Sequence, residues 1–285
     1  MAAVWPAKLG PVTVIIGEFG SGKTEVAINC VLAAAMRGQP VTLVDLDTVT
    51  PAFRSRQAAE QLTRAGVRLV APEGELADAD LPAISSEVHA ALADRRRAVV
   101  IDVGGSPSGA RAVSSLADLT GGEGAACWVV VNPWRPTTAN PRLVAGTVTQ
   151  LAATARAGAA EVLANLYVPQ DVADAGAMLA RGYEAVSLGA GLAGLPLRLC
   201  SVRRELASLA EGILPSSVAV LPLDLFMQPP WDVGLEPLAQ AQEPGSARLA
   251  ARVMPGPGHG QPAEVAAAAA AAAAVSKITG RLEHG

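Results

Sequence analysis

Val12 to Ile16 are β-branched without exception, and they run directly into Gly17-Glu18-Phe19-Gly20-Ser21-Gly22-Lys23-Thr24, after which Glu25 to Met36 reads as helix. The order is strand, G-x-x-x-x-G-K-T, helix, and few folds accommodate it. Glycines let successive backbone N–H groups converge on phosphate oxygens with no Cβ in the way, and the helix aims its positive N-terminal end at the same anion. Lys23 adds a point charge for β- and γ-phosphates, and the Thr24 hydroxyl suits a magnesium ion bridging them. Lysine occurs only at positions 8, 23 and 277, so its place in this loop is not an accident of composition. Gly17, Glu18, Phe19, Gly20, Ser21, Gly22, Lys23 and Thr24 are therefore the expected phosphate-binding residues.

Apolar runs short enough for buried strands recur at Val12 to Ile16, Val41 to Val44, Ala98 to Ile101, Cys127 to Val131, Val162 to Leu163 and Val218 to Leu221, with weaker candidates at Arg68 to Ala71 and Leu197 to Val202. Helix-length stretches separate them: Lys23 to Arg37, Ser55 to Ala65, Ala83 to Ala93, Ala110 to Leu119, Thr138 to Ala155, Val172 to Arg181, Glu184 to Leu192 and Arg203 to Glu211. Strands that are apolar throughout, alternating with helices, predict an α/β fold: a three-layer P-loop NTPase fold, with a mostly parallel sheet and helices on both faces. Ligands then bind beyond the carboxyl ends of the strands. After Pro229-Pro230-Trp231 the chain becomes rich in Pro, Gly, Ala and Gln, so the expected division is a nucleotide-binding domain over 1–231 and a tail over 232–285, flexible apart from a short helix at Ala266 to Ala274.

The second strand delivers Asp45 and Asp47 to the edge that carries the loop. Their carboxylates are expected to point to opposite sides, Asp47 toward magnesium and the attacking water and Asp45 bracing the loop, unless one of the two caps a helix or turn. The run Ala98 to Ile101 ends at Asp102 and continues Val103-Gly104-Gly105, the form of a Walker B aspartate with a D-x-x-G switch. Asp102 is expected at magnesium, and the Gly105 N–H at the γ-phosphate. Lys23, Asp47 and Asp102 are thus the expected catalytic residues, and Thr24, Asp47 and Asp102 the metal ligands.

Composition narrows the partners. A formal charge of −4 and a pI near 5.5 supply no broad basic field, so nucleic acid is not expected. Cys30, Cys127 and Cys200 are too widely spaced for a metal site and read as buried thiols in a reducing compartment. No apolar run reaches the roughly 18 to 20 residues of a membrane helix and no export signal is legible, so the expectation is a soluble, cytoplasmic protein without a membrane partner.

These residues resemble the signal-recognition, MinD and BioD class of P-loop NTPases over about residues 11–223. More closely, GEFGSGKTEVAIN, VDLDTVTPAFRSR, VIDVGGSPSGARA, VVVNPWRPTT and the terminal PPW look like a group of bacterial ATP-binding proteins with a CobQ/CobB/MinD/ParA nucleotide-binding domain. Relatives in MinD and ParA have a second lysine early in the loop, where this chain has Glu18, so the resemblance leaves out their trans-acting lysine and, with it, support for oscillating membrane ATPase or DNA-partitioning functions. The resemblance also implies that an asparagine ending a later strand contacts adenine, and the matching residue is Asn165. With so few lysines, no guanine-reading N-K-x-D can exist, and ATP is the expected nucleotide over GTP.

Around this centre, Asn132 reads as a contact to base or second substrate, or as a polar strand end. Arg54, Arg56 and Arg135 read as phosphate or acidic-substrate contacts, or as solvated arginines. Two functions fit: a magnesium-dependent regulatory or maturation ATPase acting on a protein partner, with a homodimer possible, and an ATP-dependent small-molecule ligase or kinase of the cobyrinate or dethiobiotin synthetase type.

Overall fold

The computed structural model describes Trp5 and residues 8–46, 54–71, 85–105, 107–170 and 172–226. Within them the chain runs β1 (Val12–Gly17), α1 (Lys23–Met36), β2 (Val41–Leu46), α2 (Arg54–Arg64), β3 (Arg68–Val70), α3 (Ser86–Ala93), β4 (Ala98–Val103), α4 (Pro107–Ser114), α5 (Ala117–Thr120), β5 (Ala126–Val131), α6 (Pro141–Ala155), β6 (Ala159–Asn165), α7 (Ala175–Leu192), β7 (Leu197–Arg203), α8 (Ala207–Ile213) and β8 (Ala219–Leu223). The strands form a single sheet of order β3-β2-β4-β1-β5-β6-β7-β8. Every pairing in it is parallel.

The alternation of side chains splits the core in two. Val14, Ile16, Val44, Ile101 and Val129 pack with α3, α4, α6, α7 and α8 on one face, whereas Ile15, Leu43, Val100, Val130 and Leu163 pack with α1 and α2 on the other. Both faces are covered, which is why the strands carry apolar residues at consecutive positions. Each fully buried valine or isoleucine contributes on the order of 1.5–3 kcal/mol. Pro222 lies in β8, where an edge strand tolerates the missing N–H.

Several element boundaries depart from the sequence expectation. The helix expected over Ala110 to Leu119 is interrupted, because the Ser115 hydroxyl bonds Ala112 O at 2.6 Å and Leu116 N bonds Val113 O at 2.8 Å, tightening the last turn of α4. The helix expected from Thr138 starts at Pro141, with Asn140 as its cap accepting from Leu143 N at 3.0 Å. The two helices expected on either side of Gly182 are one, α7, in which Gly182 packs closely under Trp134, Leu166 and Pro133. The division at 231/232, the tail 232–285, Asp47 and the Arg54 and Arg56 side chains lie outside the described residues.

The first helix also holds the end of the sheet. Asn29, buried in α1, donates from Nδ2 to Asp224 O at 2.9 Å and accepts at Oδ1 from Asp224 N at 2.8 Å, taking the place of a strand partner just beyond β8. The Glu25 carboxylate accepts Phe226 N at 3.0 and 3.1 Å, and Arg204 pairs with both Asp224 oxygens at 2.6 Å. Cys30, Cys127 and Cys200 are buried free thiols; burial raises all three, Cys127 and Cys200 to about 12. The stability they contribute is present below the unfolded thiol pKa of about 8.5 and is lost as pH rises from there toward 12.

Two outcomes are expected. Asn29→Ala removes both hydrogen bonds to the Asp224 backbone and lowers unfolding free energy by about 2 kcal/mol in urea titration. Iodoacetamide at pH 8 leaves the native protein unlabelled and modifies three thiols once it is unfolded.

Candidate nucleotide site

Between the end of β1 at Gly17 and the start of α1 at Lys23 the chain reverses through a turn that two left-handed glycines make possible, Gly20 at φ 73° and Gly22 at φ 91°. Ser21 N donates to Glu18 O at 3.1 Å, and Lys23 Nζ donates to the same carbonyl at 3.1 Å. Lys23 is only 6% exposed, so its charge is turned inward onto the loop that a phosphate would occupy. A carbonyl dipole is a weaker partner for an ammonium group than a phosphate oxygen, and an anion in the loop would displace it. The Ser21 hydroxyl is buried within the same turn without a hydrogen-bond partner among the described residues.

Two side chains from later strands fix this turn. Asn165, the last residue of β6, donates from Nδ2 to Ser21 O at 2.8 Å and accepts at Oδ1 from the Ser201 hydroxyl of β7 at 3.1 Å. The amide fills the space where a Cβ on Gly22 would stand, which gives that glycine a second reason besides its φ. Two of the four hydrogen-bonding positions of Asn165 are therefore used to position the loop. Arg135, in the turn after β5, donates from Nε to Gly20 O at 2.9 Å. Neither bond is legible in the sequence, where Asn165 and Arg135 stand 144 and 115 residues from their partners.

On the opposite flank of β1 lies β4, whose register places Asp102 beside Ile15 and beside Asp45 of β2. Registered neighbours in adjacent strands point to the same face, here that of α1, and both carboxylates are buried, Asp45 at 4% and Asp102 at 3% exposure. The sequence reading gave Asp45 a bracing role; the register makes it the neighbour of Asp102. Thr24 is half-buried as the second residue of α1. Gly105 approaches the loop so closely that a Cβ on it would lie 2.7 Å from Phe19 N. Asn132 is buried and, unlike Asn165, turns onto its own loop, its Oδ1 accepting Trp134 N at 3.0 Å.

The described residues contain no cluster of three or more metal-ligating side chains. A magnesium ion does not require one, since it binds through one or two hard protein oxygens together with phosphates and water. Two buried carboxylates on the sheet face that α1 covers, and a threonine in the first turn of α1, supply hard oxygens of the kind that donor set needs.

Sheet and loop together are those of an α/β P-loop NTPase fold, with the loop strand β1 flanked by β4, which bears Asp102 next to its last residue. No family model and no curated protein matches the chain. Among solved structures it is similar to the signal recognition particle 54 kDa protein of Aeropyrum pernix K1 in complex with GDP, at 21% identity over 73% of this chain and 44% of that one, with a TM-score of 0.47. FtsY from Mycoplasma mycoides shares 16% identity over 70% of this chain and 62% of its own, with a TM-score of 0.48. A nucleotide-binding protein in complex with ADP from Archaeoglobus fulgidus shares 13% identity over 73% and 90%, with a TM-score of 0.35. The chain thus spans about half to three fifths of the length of the first two. Among the described residues no helix is long and apolar enough to cross a membrane.

Because the Asn165 amide acts on the loop, Asn165→Ala is expected to weaken ATP, GTP and inorganic triphosphate alike, by about tenfold each in calorimetry. A loss confined to one nucleotide would show that the amide reads the base instead.

Proposed function

We propose that the protein binds ATP with magnesium in the Gly17 to Thr24 loop, in preference to GTP, and hydrolyses it. The observation that carries this reading is Lys23, turned into a loop whose shape two distant side chains already hold. On binding, Lys23 Nζ exchanges Glu18 O for β- and γ-phosphate oxygens, while the loop N–H groups and the N-terminus of α1 neutralise the rest. Thr24 and Asp102 would hold magnesium, and Asp47, outside the described residues, is assigned from the sequence to the metal and the attacking water. A bound ion would supply charge neutralisation. Gly105, packed on the Glu18–Phe19 peptide, is suited to report loss of the γ-phosphate to the chain that follows it.

Preference for ATP rests on chemistry at the strand end. Guanine presents N1–H and N2–H donors that call for a carboxylate, and Asn165 is followed by Leu166-Tyr167-Val168, with neither the lysine nor the aspartate of an N-K-x-D motif. A protein partner is supported by Phe19, an aromatic side chain 68% exposed on the phosphate loop itself, where occupancy of the site would be felt. The protein is accordingly read as a regulatory or maturation ATPase.

Lys23→Ala is expected to weaken ATP binding at least 100-fold in calorimetry. Asp102→Ala should leave binding measurable and reduce phosphate release by at least 100-fold. Tight ATP binding by the Lys23 variant would sink the assignment of the loop.

A further inference from the structure

The site has two ends, and only one of them is acidic. β1 is flanked by β4, bearing Asp102, on one side and by β5 on the other. Resting on the reading of the loop as a phosphate site, the terminal phosphate and its cation belong on the Asp102 side, where buried carboxylates attract a metal and would repel an uncovered phosphate. The ester end of a bound triphosphate then points toward β5 and β6.

On that side the turn from Asn132 to Thr138 stands over the loop, and its own hydrogen bonds make it rigid. Asn132 O accepts from Arg135 N at 3.2 Å and from the Thr138 hydroxyl at 2.5 Å, and Arg135 O accepts from Thr138 N at 3.0 Å. Trp134 is 38% exposed and seated against α7 at Gly182, where a Cβ would come within 3.0 Å of its ring. The turn carries Arg135 across to the phosphate loop. The guanidinium lies against Gly20, where a Cβ would stand 2.9 Å from Cζ, and only Nε is bonded, to Gly20 O. The terminal nitrogens bond no described residue, and the side chain is exposed. One planar cation, tethered at Nε, therefore offers four N–H groups and a flat face just beyond the phosphates on the ester side.

We propose that Arg135 is a nucleoside-contacting residue: its terminal nitrogens take ribose oxygens, its plane packs on the base, and its Nε bond to Gly20 keeps the plane in register with the phosphates. Such a contact recognises a nucleoside triphosphate as distinct from any other polyphosphate. It discriminates weakly between bases, because every base has a π face. Lysine cannot replace it, since an ammonium group has no plane and cannot bond the loop and the ribose through separate nitrogens held in one fork.

The test compares Arg135→Ala and Arg135→Lys with the unmodified full chain, using ATP, GTP and inorganic triphosphate with magnesium as calorimetric titrants and thermal unfolding to confirm folding. Because Arg135 also bonds the loop, some loss is expected for every titrant; the expected result is that in both variants ATP and GTP lose about tenfold more affinity than inorganic triphosphate does. An equal loss for all three titrants, or full rescue by lysine, would overturn the proposal and leave Arg135 only shaping the loop. If the unmodified protein binds none of them, the phosphate-site reading itself fails, an outcome distinct from failure of the Arg135 contact, which requires binding by the parent.

Discussion

The turn between β1 and α1 is held by side chains from later strands and loops, and the buried hold is the Asn165 amide on the Ser21 carbonyl. Ser201 fixes the amide from β7, so three elements, β7, β6 and the loop, are joined by two hydrogen bonds in a buried place. Gly22 has to be glycine for the amide to reach, and its left-handed conformation in turn sets the start of α1. The parallel sheet follows from the same need. It is the arrangement in which strand ends distant in sequence are gathered at one edge, so that each can contribute a side chain to one loop.

Charge is distributed with a direction along that edge. Asp45 and Asp102 are buried on the β2–β4 side, Lys23 lies in the middle, and Arg135 stands on the β5 side. A metal–triphosphate has a matching polarity, with its cation at one end and its nucleoside at the other. The face of the sheet that carries Asp45, Asp102, Asn165 and Ser201 is the one covered by α1, and α1 also grips Asp224 and Phe226 through Asn29 and Glu25. The helix that begins at Lys23 is thus in direct contact with the chain that leaves the last strand.

Much of the fold was legible because most of the buried parallel strands announce themselves as short apolar, largely β-branched runs, whereas β3 and β7 coincide only with the weaker candidates. The first residues of β6, Ala159-Ala160-Glu161, were not, since nothing in them favours a strand and only pairing with β5 makes them one. The loop and Asp102 were legible because their chemistry is local. The neighbourhood of Asp45 and Asp102 was not, because register between strands leaves no mark in either strand alone. Asn165 and Arg135 could be placed at the right edge from sequence, but the bonds that tie them to Ser21 and Gly20 depend on side chains reaching across strands, which spacing does not encode. Gly182 misled in the other direction: a glycine that looked like a helix break is a contact for Trp134.

The central claim is that the loop is already shaped for phosphate and that Lys23 exchanges its bond to Glu18 O for phosphate oxygens. The most direct measurement is a crystal structure with magnesium and a non-hydrolysable ATP analogue. The account predicts that Lys23 Nζ leaves Glu18 O for the β- and γ-phosphates while the Asn165–Ser21 bond and the loop backbone stay as they are. Lys23 still bonded to Glu18 O, with the analogue elsewhere or the loop refolded around it, would contradict the account.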